Sequence, residues 1–146
     1  MSMEITFPGG LAVEAQYKGF RIATDQPREV GGQGAAPAPY DLFLASLGTC
    51  AGLYALRFCQ ERGLSTEGLG LTLSTERDAE ARRTRLVRMT VQLPAGFPEK
   101  YHGAIERAVN LCAVKRAIAE PPDFETVVVA PAVVAPADVE VAPALA

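Results

Sequence analysis

Between Pro39 and Gly63 the chain reads PYDLFLASLGTCAGLYALRFCQERG, apolar on nearly every face of a helical repeat. The spacing predicts a helix over 40–62, with Gly63 at the position just past its end, where a left-handed residue closes a helix. A helix apolar all round has to be central and buried, so the rest of the fold must be arranged about it. Its uncharged stretch, Leu42 to Leu56, is too short to span a bilayer and carries Gly, Ser and Thr, so membrane insertion is rejected. Within it Cys50 sits among Ala45, Ser46, Gly48, Thr49, Ala51 and Gly52, where Leu would fill space better. A free cysteine is often just a small buried hydrophobe. The same surroundings suit a thiol that must leave room for a substrate.

The flanking segments read as strands, loops and a second helix. LAVEAQY at 11–17 and GFRIATD at 19–25 alternate and predict a hairpin turning at Lys18 and Gly19. QPREVGGQGAAPAP, 26–39, is a Gly- and Pro-rich loop. LGLTLSTER at 69–77 and RTRLVRMTVQL at 83–93 predict two strands about a solvated charged turn, DAEARR. A second buried helix is predicted over 98–119, with Tyr101, Ile105, Ala108 and Cys112 on its stripe. Pro121 and Pro122 stop it, and FETVVV at 124–129 reads as a last strand. This is an α+β pattern, antiparallel strands around two buried helices. Residues 1–130 form one domain, followed by an Ala-, Val- and Pro-rich tail, 131–146, suited to edge or extended packing.

Charge narrows the partners. A net charge of -3 and a pI near 5.2 give no electrostatic reason for a nucleic acid or an anionic membrane surface. The opening MSMEITFPGG lacks the basic and apolar regions of a signal peptide, so the expected compartment is the cytoplasm, where thiols stay reduced.

That places weight on the three cysteines. They lack the close paired spacing of zinc sites, and His102 reads as a solvated surface residue, so no metal or other cofactor is expected. Cys59 follows Cys50 by nine residues, about 100° each, and so lies on the opposite face of the same helix. Cys112 could meet Cys50 if the two helices pack side by side. A thiol that attacks peroxides must be ionised, and in an apolar helix that requires a cation or a set of hydrogen-bond donors. Attack on an O–O bond leaves a sulfenic acid, which a second cysteine captures as a disulfide and an external dithiol then restores.

PREVGGQG at 27–34, PYDLFLASLGTC at 39–50 and CAVKRAI at 112–118, in this order and spacing, resemble the OsmC/Ohr family of osmotically induced and organic hydroperoxide resistance proteins, over about residues 11–129. The resemblance implies an intertwined homodimer with an OsmC-like fold and a site at the dimer interface. It implies Cys50 as the peroxidatic cysteine, Cys112 as the resolving one, and a lipoyl-type or other small dithiol as reductant; it gives Cys59 no role. The chain departs from the hydroperoxide resistance branch in three places. Tyr40 stands where that branch has a glutamate, with the acid one residue later at Asp41. Leu11 stands where it has a thiolate-polarising arginine. Ala113 and Lys115 replace the Pro and His common after the second cysteine. Arg28 is a candidate for the missing charge and Asp41 for substrate contact; the plainer readings are a solvated loop arginine and a helix cap.

The function implied is a cysteine-based peroxidase acting on organic hydroperoxides. Its rival is an OsmC-like protein that binds an apolar small molecule or acyl thiol without peroxidase activity. A purely structural dimer fits less well with the space left around Cys50.

Overall fold

The computed structural model describes residues 2–130; the predicted tail, 131–146, lies outside the described residues. The chain opens with an antiparallel meander of β1 (Glu4–Gly9), β2 (Ala12–Tyr17) and β3 (Phe20–Thr24). The predicted hairpin is β2 and β3, turning at Lys18 and Gly19, both at positive φ as a two-residue hairpin turn requires. Sequence reading missed β1, because Pro8 and Gly9 interrupt its pattern. Pro8 falls within the shift in register between Thr6 and Gly9, where pairing resumes, on an edge strand where a missing N–H is tolerated. Pairing of Ile5 with Ala15, Ala15 with Ile22 and Tyr17 with Phe20 gathers apolar side chains on one face. Glu14, Gln16 and Arg21 take the other, with Arg21 and Glu14 ion-paired. The apolar face is uncovered in the protomer: Phe20 is 71% exposed and Ile5 50%.

Asp25 organises the loop that follows. Its buried carboxylate accepts N–H bonds from Gln26 (2.7 Å), Ala35 (3.0 Å) and Gln33 (3.1 Å). Gly32 has to be glycine there, since a Cβ would lie 1.8 Å from the Gln26 carbonyl oxygen. The loop delivers the chain to α1 (Pro39–Gln60), which starts with proline in its first turn and Asp41 Oδ2 accepting the Ala38 N–H at 3.0 Å. Gly63 closes the helix as its position predicts. At φ +62° it lets Gly63 N–H reach Gln60 and Leu64 N–H reach Cys59.

Leu47, Ala51, Ala55, Phe58 and Cys59 form the buried face of α1. The opposite side keeps Phe43, Leu53 and Leu56 exposed, so the predicted all-round burial is met on one face of the protomer. β4 (Gly70–Asp78) and β5 (Arg83–Gln92) pair antiparallel, and Leu71, Met89 and Val91 pack against the core. An irregularity after Glu76 leaves Arg85 unopposed and pairs Thr84 with Arg77. The Thr84 hydroxyl then meets the Tyr40 hydroxyl at 2.8 Å, fastening the start of α1 to β5.

Two sequence expectations are corrected. The helix predicted over 98–119 is a short 3₁₀ turn, Glu99–Tyr101, then α2 (His102–Asn110) and α3 (Ala113–Ala119). The apolar stripe runs through Ile105 to Val109, after which Cys112 turns extended (ψ 120°). That one residue resets the helical phase, leaving Leu111 exposed and Cys112 fully buried. No strand forms over 124–129: Phe124, Val127, Val128 and Val129 are all exposed. Strand propensity is realised only against an edge that receives it, and here none does.

Candidate functional site

The break between α2 and α3 brings together two sulfurs from distant parts of the sequence. Cys50 lies half-buried on α1, and Cys112 opens α3 against that helix, its thiol donating toward the Leu47 carbonyl at 3.9 Å. Both are free thiols. Their ionisation is pushed in opposite directions. Cys50 is lowered from the ordinary thiol range, first by the Val114 N–H, then by the Cys112 thiol and the Ala113 N–H, against an opposing effect of burial. Cys112 is raised, first by burial and then by the neighbouring Cys50, with the Lys115 and Val114 amides acting weakly the other way. The groups that stabilise the Cys50 thiolate are thus the first amides of α3 and a thiol. Sequence reasoning had asked for a cation or for donors; the donors are backbone groups, which carry no side-chain signature.

Cys59 stands apart on the far face of α1, fully buried, its thiol pushed up by desolvation despite Arg62 nearby. Arg28 is exposed, and its Nε donates to the Gln33 carbonyl at 3.1 Å within its own loop. Asp41 serves the α1 cap and borders a groove with Gly48, Leu71 and Leu73. Neither is among the groups acting on Cys50. His102 is exposed at the start of α2, its ring tilted against Phe97 at 5.8 Å. Among the described residues no three His, Cys, Asp or Glu side chains converge as a metal site requires. A cleft of about 640 Å³ lies between β5, α2 and α3, lined by Leu47, Val87, Met89, Val91, Ile105 and Val109, with neither cysteine in its wall.

A long helix packed against a two-stranded antiparallel sheet, with a three-stranded antiparallel sheet beside them in sequence and a half-buried thiol near a second thiol at the start of a short helix, defines an α+β protein with two neighbouring thiols. Residues 32–127 match the family described as OsmC-like protein, and the chain belongs to that family. Similar solved structures include a Psychrobacter arcticus protein designated an osmotic stress induced and detoxification response protein. It is 21% identical, with a TM-score of 0.69 over 80% of this chain and 87% of the other. A Legionella pneumophila protein designated an organic hydroperoxide resistance protein OsmC is 21% identical, with a TM-score of 0.52 over 81% and 89%. An OsmC-like protein of Vibrio cholerae is 13% identical, with a TM-score of 0.57 over 80% and 91%. At these identities the likeness is one of fold. A search of curated proteins by sequence gives no match.

Proposed function

We propose that the chain is a thiol peroxidase for organic hydroperoxides, with Cys50 as nucleophile and Cys112 as resolving thiol. The observation that carries this reading is the meeting of two free thiols from distant segments, Cys50 on the edge of the core and Cys112 buried in it at the start of α3; surroundings that lower Cys50 and raise Cys112 suit them to separate chemical roles. The name of the Legionella relative, an organic hydroperoxide resistance protein, supports the substrate class.

The steps balance as follows. The Cys50 thiolate attacks the outer oxygen of a hydroperoxide; an S–O bond forms, the O–O bond breaks, and the alkoxide leaves and takes a proton from solvent as an alcohol. Cys50 is then a sulfenic acid. The Cys112 sulfur attacks it, forming the disulfide, and hydroxide departs with the Cys112 proton as water. A small dithiol, of lipoyl type or another, gives two electrons and two protons to restore both thiols and becomes a disulfide itself. Cys112, kept protonated by burial, turns its one proton from the Leu47 carbonyl to the Cys50 thiolate first and acts as the resolver afterwards.

The working unit in this reading is a cytoplasmic homodimer. The exposed apolar face of the β1–β3 sheet and the exposed Phe43, Leu53 and Leu56 of α1 are surfaces a second copy would cover.

The test is turnover of cumene hydroperoxide with dihydrolipoamide. Cys50→Ser abolishes it, whereas Cys112→Ser gives an initial oxidation followed by inactivation. Equal turnover in wild type and Cys50→Ser would defeat the proposal. Cys50 alkylation followed against pH has its midpoint below the ordinary thiol value of about 8.5, and Cys112→Ala raises that midpoint by removing a donor.

A further inference from the structure

The cleft between β5, α2 and α3 holds neither thiol of the chemistry above, yet its build is that of a binding pocket. Its volume of about 640 Å³ falls in the range of small-molecule sites. The floor is apolar: Leu47, Ile105 and Val109 are buried, and Val87, Met89 and Val91, alternate residues of β5, share one face of that strand. The rim is polar and comes from two elements. Glu106 and Asn110 lie one turn apart on the same face of α2, and Lys115 of α3 reaches back to donate from Nζ to Asn110 Oδ1 at 2.5 Å. Asn110 is thus a neighbour to two opposite charges. Both charges are exposed, and neither belongs to an ion pair, with the other or with any group among the described residues.

We propose that this cleft binds a single-chain amphiphile with a zwitterionic head, its alkyl chain on the apolar floor, its cationic group beside Glu106 and its anionic group on Lys115. The choice of head follows from the rim. A carboxylate alone would set a negative charge near Glu106, and an ammonium alone would set a positive one near Lys115. A head carrying both signs answers both. Asn110 fits the same head: its Oδ1 is taken by Lys115, which leaves the Nδ2 hydrogens for the anionic group. Two sources share this chemistry. A lysophosphocholine has its phosphate next to the chain and its ammonium outermost, whereas a betaine head has the reverse order. The site is additional to the peroxidase reading and needs no reaction at either sulfur.

The test is a titration of isotope-labelled protein followed by backbone amide shifts, with four decyl probes kept below micelle formation: decylphosphocholine, decyl sulfobetaine, decanoate and decyltrimethylammonium. At least one zwitterion gives saturable shifts over 102–119 and 87–91, and each singly charged probe binds roughly fivefold more weakly, the scale of one exposed ion pair. Preference for one zwitterion fixes the order of charges and so the source; equal binding of the two assigns the site to either. Glu106→Gln, a change at an exposed position, brings decanoate level with the preferred zwitterion. Ile118→Trp, also exposed and in the wall, fills the cleft and removes the saturable shifts. Equal affinity for all four probes, shifts centred on the exposed face of β1–β3 or of α1, or no saturable shift would overturn the proposal. The titration contains neither peroxide nor dithiol, so its failure leaves the peroxidase reading intact, and loss of that reading leaves this result standing.

Discussion

Asp25 shows how one side chain can set a loop that looks featureless in the sequence. Backbone N–H bonds, that from Ala35 first and then Gln26, hold its carboxyl below the usual carboxylate range against the opposing effect of burial. A carboxylate lowered in the folded state contributes stability that is present above its unfolded pKa, about 3.9, and is lost as pH falls through the folded value. Asp25→Asn therefore lowers the melting temperature at neutral pH and flattens its dependence on acid, as calorimetry between neutral and acid pH would record. If the wild type and the variant lose stability in parallel on acidification, Asp25 is not the group responsible. Gly32→Ala acts on the same loop through sterics, forcing the Gln26 carbonyl aside. Its destabilisation belongs at the upper end of the roughly 0.5–3 kcal/mol common for point substitutions, measured by urea unfolding. Neither residue stood out in the sequence, because a buried carboxylate receiving backbone amides has no pattern of its own.

At the scale of elements, the strongly periodic segments were legible. α1, its closure at Gly63, and the β2–β3 and β4–β5 pairs follow from apolar spacing and turn residues. What escaped was a single extended residue: spacings of three and four placed Cys112 on one long stripe, while the chain breaks there to start α3. The pairing of Cys50 with Cys112 was open to sequence reasoning as a possibility of helix packing; the amides of Ala113 and Val114 were not. The β5 irregularity was equally hidden, and with it the bond from Tyr40 to Thr84. Tyr40→Phe removes that exposed bond and should lower stability by about 1 kcal/mol or less. An unchanged midpoint in denaturant would mean the bond holds α1 no better than water does. The expectation that α1 is too short for a bilayer, drawn from its uncharged stretch, is corrected: the whole 22-residue helix is long and apolar enough, at a mean hydropathy of 1.5, and in this fold it packs against β4, α2 and α3.

For the whole molecule, the question is how a protomer with so small a buried core holds together. Leu47, Ala51, Ala55, Phe58, Ile105 and Val109 with two cysteines make up its buried apolar residues among those described, while Phe7, Phe20 and Val128 stand exposed. An uncovered apolar sheet face is unfavourable in water. Light scattering coupled to size exclusion should give twice the mass of one chain, and Phe20→Glu, which puts a charge on that face, should shift the population toward single chains. A wild type that runs at the mass of one chain would remove the homodimer. The three sulfurs have a further consequence, for handling the protein. Cys59 and Cys112 are fully buried and raised toward the protonated form, while Cys50 is lowered and half-buried. The native chain thus carries a ready attachment point: a maleimide dye or spin label at neutral pH should mark position 50 alone, with no need to engineer the other two away.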